Sequence, residues 1–170
     1  MRKIALAALA AMVLGAGPAL AQSEMELQSA GINQLSAAQR EVTQRNIDVA
    51  TAALQAKDYA KARKYAQPVT RADPKRIESW LMLGAANLGL QDWRKARLAY
   101  ASALRITPSH PEARAGMAIA MARTKDPKAR THLAWLDAKI AECGGCWQAS
   151  QLAKFKTDVE TAMAEAAKGS

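Results

Sequence analysis

One short segment of the sequence occurs three times at a constant spacing. The copies read DYAKAR, DWRKAR and, one residue shorter, DPKAR, and they begin at Asp58, Asp92 and Asp126. Pro74 and Pro108 are separated by the same interval. A fixed period of about 20 to 50 residues indicates one supersecondary unit that is stacked several times, because a single unit cannot bury its apolar face alone. The chain is therefore expected to form a repeat array.

The best-formed copy lies between Ile77 and Pro108. Its large and small residues are Trp80, Leu83, Gly84, Ala96, Tyr100, Ala103 and Pro108. Their order and spacing resemble the tetratricopeptide repeat signature, W-x2-L-G-x2-Y…A-x3-F…P, which has a period of about 34 residues. The resemblance covers about residues 43–140. It implies pairs of helices that stack side by side, with small residues at the close helix contacts and aromatic residues in the spaces between helices.

The two outer copies are weaker than the central one. The first has Asn46 in place of the tryptophan and Ala66 in place of the large aromatic residue, and the third begins at Pro111 and lacks both. Degenerate outer copies are expected, because terminal repeats face solvent rather than a neighbour. The composition is rich in alanine and other helix formers and has no alternating β-branched run. The predicted fold is all-α: a short tetratricopeptide-like solenoid of three helix pairs in residues 36–141, plus a C-terminal capping helix.

The N-terminal segment 1–21 has the plan of a secretory signal peptide. A positive start is followed by the apolar run Ile4 to Leu14 and by small residues before a cleavage point after Ala21. The apolar run is too short for a membrane span, which needs about 20 residues. We therefore expect an exported protein that is soluble in the bacterial periplasm after cleavage. Residues 22–35 are polar and predict a flexible segment, and a capping box at Ser36 predicts a helix start near Ala37.

The C-terminal part consists of a Cys-x-x-Cys turn in residues 142–147 and a final helix with its tail in residues 148–170. The helix has one apolar face and one face of mixed charge, as expected for a helix that seals the end of an array. Its apolar residues are Leu152, Phe155, Val159 and Met163. The alternative is a detachable helix that binds a partner or a membrane surface.

Cys143 and Cys146 are the only cysteines, and in an exported protein such a pair most often forms a structural disulfide. A thiol–disulfide redox site is the main alternative, although the βαβ context of that class is missing. Trp147 stands where a c-type haem motif needs histidine, which excludes that motif. Zinc would require two further ligands, and the only histidines are His110 and His132. No metal or cofactor is expected.

The family resemblance also implies a peptide-binding groove, lined by the first helix of each pair. The positions that correspond to this groove are Ile47, Thr51, Leu54, Leu81, Ala85, Leu88, Ala115, Ile119 and Arg123. They predict a shallow, largely apolar channel, without the Lys, Asn and Arg set by which some members bind a C-terminal carboxylate. An apolar or amphipathic protein segment is the expected ligand. The alternative is that the final helix or the N-terminal segment occupies the groove.

The formal net charge of +9 includes Arg2 and Lys3 of the predicted signal peptide. The excess of positive charge is compatible with weak contact with anionic membrane surfaces, but no basic cluster with interleaved aromatics indicates nucleic-acid binding. No catalytic arrangement of serine, histidine and carboxylate and no phosphate-binding loop are present. The leading hypothesis is a non-catalytic periplasmic scaffold or adaptor. The alternatives are a redox protein acting through the two cysteines and a basic cell-envelope assembly factor.

Overall fold

The computed structural model describes residues 17–146 and 148–168, with side chains from residue 36 onward. Every element in these residues is an α-helix. In chain order the helices are α1 (Gly17–Gln55), α2 (Tyr59–Ala72), α3 (Ile77–Gly89), α4 (Trp93–Ile106), α5 (Pro111–Arg123), α6 (Ala129–Cys143) and α7 (Ala149–Lys168). The predicted all-α solenoid of three helix pairs and a final helix is confirmed.

Helix α1 begins well before the predicted position near Ala37. It starts at Gly17 and includes residues 22–35, which the sequence analysis assigns to a flexible segment. Most of this stretch is Ala, Leu, Gln, Glu and Met, and these residues have high helix propensity even without an apolar period. The described residues divide into two units after Glu41, and the repeats lie in the second. Residues 1–16 of the predicted signal peptide lie outside the described residues, and cleavage after Ala21 stays a prediction.

The turns inside the three helix pairs share one backbone conformation. Their left-handed residues, at φ of 58°, 58° and 56°, are Lys57, Gln91 and Lys125. The aspartate after each of them donates its N–H to the carbonyl five residues earlier, at 2.8 to 2.9 Å. This hydrogen bond closes the C-terminal end of the first helix in each pair. The left-handed residue that it requires is usually glycine. The period of the sequence therefore extends to the backbone of the turns.

The aspartates of the repeated segment start the second helix of the first two pairs. The side chain of Asp58 accepts a hydrogen bond from the N–H of Lys61 at 3.0 Å, and Asp92 accepts one from the N–H of Lys95 at 3.3 Å. These are N-cap bonds, which satisfy amides that the helix itself leaves unpaired. Hydrogen bonds from Lys95 hold the pKa of Asp92 below its usual value. The sequence repeat is thus a repeat of helix starts.

Tyr100 of α4 is the centre of the core. Its side chain is 2 % exposed, and burial raises the pKa of its phenol. The ring lies between Gly84 of α3 and Gly116 of α5, where an added Cβ would come within 2.7 Å and 2.2 Å of a ring carbon. The two glycines therefore allow three helices to close around one aromatic side chain. This confirms Gly84 as a site of close helix packing.

In the third repeat, Arg114 of α5 takes over a contact that a tryptophan makes in the second. The indole N–H of Trp80 donates to the carbonyl of Pro74 at 2.9 Å, and Nε of Arg114 donates to the carbonyl of Pro108 at 3.1 Å. The two donors are one repeat apart, and so are the two acceptors. The weaker sequence pattern of the outer copy therefore preserves the hydrogen bond that joins the first helix to the preceding turn.

Helix α7 packs against α5 and α6 and closes the array. Its Leu152 and Val159 share an apolar cluster with Leu136 of α6 and Ala115 of α5. Further along, Ala162 joins the cluster around Tyr100. None of the described helices is both long and apolar enough to cross a membrane.

Candidate binding surfaces

The predicted groove residues on α1 belong to the first helix of the first repeat. Ile47 and Leu54 are half-buried and pack against the apolar cluster that joins α1, α2 and α3. Thr51 is exposed, and its hydroxyl donates to the sulfur of Met82 at 3.5 Å. This contact fixes the C-terminal half of α1 against α3. Only part of the side chains of Ile47 and Leu54 is therefore accessible to a ligand.

The three predicted groove residues on α3 differ in accessibility. Leu81 is 8 % exposed and belongs to the core cluster around Tyr100. Ala85 is half-buried, and Leu88 lies half-buried at the edge of the same cluster. A ligand on this face would therefore meet Ala85 and Leu88, whereas Leu81 supports the helix from within.

All three predicted groove residues on α5 lie against α7. Ala115 is buried in the cluster that contains Leu152 and Val159, and Ile119 packs against the same cluster. Arg123 forms an ion pair with Glu165 of α7. The predicted channel is therefore occupied at its third repeat by the chain's own last helix. This is the self-occupied alternative of the sequence analysis, restricted to one of three repeats.

Arg123 also contacts the aromatic residue at the start of α4. Its guanidinium lies over the ring of Trp93, 5.6 Å from the centroid. One repeat earlier the equivalent pair is Tyr59 and Gly89, where a Cβ on the glycine would come within 2.3 Å of the ring. The same contact between consecutive repeats is thus made by a small residue in one case and by a cation in the other. Arg123 is a structural contact as well as a groove position.

Cys143 and Cys146 occupy the turn between α6 and α7. Their Cα atoms are 5.2 Å apart, a spacing that suits a disulfide. Both border a cavity of about 600 Å³ together with Trp135 and Lys139. Arg114 lies over the Trp135 ring at 4.7 Å from the centroid. The structure therefore brings the cysteines beside a cation–aromatic cluster that the sequence analysis did not identify.

The two histidines occupy partly buried positions. Both His110 and His132 have a buried Nδ1 without a hydrogen-bond partner. Burial, and then the charge of Arg114, lowers the pKa of His132, and Asp126 offsets part of this shift. In residues 17–146 and 148–168, no group of three or more His, Cys, Asp and Glu side chains is arranged to hold a metal ion.

A second cavity, here named the outer cavity, lies between α2, α3 and α4 and was missed by the sequence analysis. It measures about 490 Å³ and is lined on α3 by Trp80, Leu83 and Asn87. This stripe of α3 is distinct from the one that carries Leu81, Ala85 and Leu88. The sequence feature that could have indicated this cavity is Asn87, which stands where the W-x2-L-G-x2-Y signature has its tyrosine. A small residue at this position leaves space that the usual ring would fill.

Comparison with known proteins agrees with the fold. The tetratricopeptide repeat family model matches residues 53–118. The type III secretion translocator chaperone SycD of Yersinia enterocolitica has a similar structure, with a TM-score of 0.60 and 14 % sequence identity over 74 % of this chain and 94 % of SycD. No curated protein sequence matches the chain.

Two solved structures of yeast Sti1 are also similar. The TPR2B domain in complex with pHsp70 gives a TM-score of 0.58 at 17 % identity, over 71 % of this chain and 98 % of that one. The TPR2AB domain in complex with pHSP90 gives 0.59 at 17 % identity, over 81 % of this chain and 55 % of that one. At these identities the similarity concerns the fold.

Proposed function

We propose that this chain, whose repeats are tetratricopeptide repeats, is a non-catalytic adaptor that binds one apolar or amphipathic segment of a partner protein. The repeat family and the peptide complexes of the two Sti1 structures support a protein partner. The binding face is the inner face of the first two repeats, formed by the accessible groove residues of α1 and α3. The principal members are Ile47, Leu54, Ala85 and Leu88.

The observation that carries this proposal is the way in which α7 lies on α5. The helix α7 buries Leu152, Val159 and Ala162 and leaves Lys154 and Asp158 exposed. The chain thus contains one example of an amphipathic helix bound to the first helix of a repeat. By the repeat period, Ala85 and Leu88 of α3 correspond to Ile119 and Ala122 of α5. Helix α3 therefore offers the same kind of surface as α5, but without α7 on it. A partner helix next to α7 would continue the same packing.

The proposal includes export to the periplasm and cleavage after Ala21. It rests on the positive start, the short apolar run and the small residues of the N-terminus. Mass spectrometry of the protein from a periplasmic fraction should give a mature chain that begins at Gln22. A chain that retains Met1, or that stays in the cytoplasmic fraction, would contradict this part of the proposal.

The binding face is tested by adding a negative charge to it. We expect Ala85→Glu and Leu88→Glu to lose partners that the wild-type protein captures from periplasmic extract, because a carboxylate would have to be desolvated against an apolar segment. Ala138→Glu is the matched control, since it makes the same change at an exposed position of α6. Leu81→Glu is unsuitable, because Leu81 is part of the core.

The outcome is decided by comparison of the three variants. Circular dichroism first establishes that each variant retains the wild-type helix content and melting temperature. Partners that are recovered by Ala138→Glu but by neither groove variant support the proposed face. Recovery of the same partners by both groove variants would show that binding uses another surface.

Redox activity is the second candidate, favoured by the cavity beside Cys143 and Cys146. A redox enzyme of this type would reduce insulin and would have a reduction potential near those of the thioredoxin-like proteins, whereas a structural disulfide lies below about −300 mV. Insulin turnover that is lost in Cys146→Ser would support catalysis. A low potential without turnover would leave the adaptor as the function.

A further inference from the structure

The outer cavity has the size and composition of a ligand site. Its volume of about 490 Å³ falls within the range of about 300 to 1,000 Å³ that is usual for binding pockets. It opens between α2 and α4, on a different stripe of α3 from the proposed groove. Its lining combines apolar side chains, one buried amide and several cations. Each of these three features restricts the ligand.

The buried amide belongs to Asn87. This residue is 2 % exposed, and its Oδ1 has no hydrogen-bond partner. A buried polar atom without a partner is costly, and such an atom in a native protein calls for an explanation, such as a bound water, ion or ligand. Because χ2 of asparagine has a broad energy minimum, the oxygen can turn towards the cavity at small cost. The site therefore offers an acceptor to a ligand N–H or O–H.

The apolar part of the cavity suits an aromatic ring. Trp80 forms one wall and is held in place by the hydrogen bond from its indole N–H to the carbonyl of Pro74. Leu83 lies beside it on α3, and Leu98 of α4 is 63 % exposed at the cavity. A ligand that covers Leu98 and Trp80 would remove their apolar surface from water, which is favourable. Asn87 stands where the repeat signature has a tyrosine, and the cavity is large enough to admit a tyrosine ring from a partner.

The charged part of the cavity is positive. Arg63, Lys95 and Arg105 line it, and within the described residues no acidic side chain does. Lys95 is partly neutralised by Asp92 at 2.7 Å, but Arg105 donates to the uncharged hydroxyl of Ser102 at 2.8 Å. The rim therefore carries positive charge that an acidic ligand would neutralise.

From these three features we propose that the outer cavity binds a tyrosine side chain within an acidic segment of a partner protein. The ring would fill the space over Asn87 and cover Leu98, the phenol O–H would donate to Oδ1 of Asn87, and the flanking carboxylates would meet Arg63 and Arg105. The site is separate from the groove, so this proposal does not depend on whether the groove binds a partner. An adaptor with both sites contacts its partners on two sides.

The test measures the binding of two fluorescein-labelled pentapeptides by fluorescence anisotropy. One peptide has a central tyrosine between two pairs of glutamates, and the other has phenylalanine in its place. The phenylalanine peptide should bind about fivefold more weakly, because it lacks one hydrogen-bond donor to a buried acceptor. Equal affinities would overturn the assignment of Asn87 as the acceptor.

Three variants locate the site. Asn87→Tyr restores the residue of the repeat signature, fills the cavity from within and should abolish binding of the tyrosine peptide. Leu98→Glu places a negative charge at the cavity and should also abolish it, and this exposed substitution keeps the test valid if Asn87→Tyr does not fold. Arg105→Gln should weaken binding about three- to tenfold.

Two control variants distinguish binding in the outer cavity from non-specific attraction and from binding in the groove. Arg130→Gln removes an equal charge at an exposed position of α6 and should leave the affinity unchanged. Leu88→Glu, which disrupts the groove, should also leave it unchanged. Non-specific attraction would be shown if the folded Leu98→Glu variant still bound the peptide, or if Arg130→Gln and Arg105→Gln weakened binding equally. Either result would overturn the proposal. Failure of the wild-type protein to bind the tyrosine peptide would overturn it too.

Discussion

Substitution of alanine for Gly116 tests the packing around Tyr100. The new Cβ would lie 2.2 Å from the nearest ring carbon, whereas carbon atoms in contact are normally about 3.5 to 4.0 Å apart. The ring cannot move away, because Gly84 of α3 lies against it from another helix, where an added Cβ would also come within 2.7 Å of a ring carbon. Overpacking of this kind costs about 1 to 3 kcal/mol. The higher helix propensity of alanine returns about 1 kcal/mol, so we expect a net loss of up to about 2 kcal/mol.

Urea unfolding followed by circular dichroism at 222 nm measures this loss. In a domain of this size, 1 kcal/mol corresponds to a decrease in melting temperature of about 2 to 4 °C. Gly89→Ala is the matched control, since its Cβ would overlap the ring of Tyr59 by as much as in Gly116→Ala. Tyr59 is half-buried at the first position of α2 and can swing towards solvent. We expect its unfolding free energy to stay within about 0.5 kcal/mol of the wild type.

The double variant with Tyr100→Leu isolates the contribution of ring overlap. If the ring causes the loss, Gly116→Ala should cost at least about 1 kcal/mol less when Tyr100 is already leucine. The role of the ring would be refuted if Gly116→Ala stabilised the wild-type protein, as alanine does at an uncrowded helix position. An equal loss in both backgrounds would refute it too.

Three further predictions concern the turns, the histidine and the cysteines. Gln91→Gly should raise the unfolding free energy by up to about 1 kcal/mol in urea unfolding, because it relieves a left-handed conformation, and an exposed Gln151→Gly should lower it. Since burial depresses the pKa of His132, the unfolded state binds a proton that the folded state does not as the pH falls below about 6.5. The unfolding free energy should therefore fall between pH 7 and pH 5, and it should fall less in His132→Gln; identical pH profiles would contradict this. Cys143→Ser should lower the unfolding free energy by no more than about 2 kcal/mol, since a disulfide between Cys143 and Cys146 would close only a short loop. A global loss of helix content would show that the pair does more than fix one turn.

The sequence is informative about the fold because a period constrains many positions at once. The spacing of Asp58, Asp92 and Asp126 locates the three turns inside the helix pairs, and the chain follows it even where individual residues change. Arg114 makes the hydrogen bond that the tryptophan makes in the second repeat. From the pattern alone, the replacement of this tryptophan indicates that the contact is lost. Residues 22–35 are part of helix α1, which the pattern does not indicate for the opposite reason: they are helix formers by composition, and periodicity does not detect a helix without an apolar face.

The candidate surfaces are harder to predict from the sequence. The position of a residue in the repeat determines which face of its helix it lies on, but not which other helices cover that face. Leu81 lies on the expected stripe of α3 but is buried by the helices that pack beside it. The position of α7 on α5 follows no repeat relation, so the period cannot reveal that Ala115 and Ile119 are covered. Asn87 is a departure from the signature, and such a departure acquires meaning only when the structure shows that a cavity results.

The attachment of α7 decides how much of the inner face a partner can use. Its ion pair between Arg123 and Glu165 is partly exposed, with 32 % and 49 % of the side chains accessible, and such pairs contribute about 0 to 1 kcal/mol. The buried Leu152 and Val159 contribute more, because full burial of an aliphatic side chain is worth about 1.5 to 3 kcal/mol. Helix α7 is therefore held mainly by apolar contacts that salt does not weaken. A partner that competes for α5 would have to replace this apolar area, whereas one that binds beside α7, at Ala85 and Leu88, adds to it.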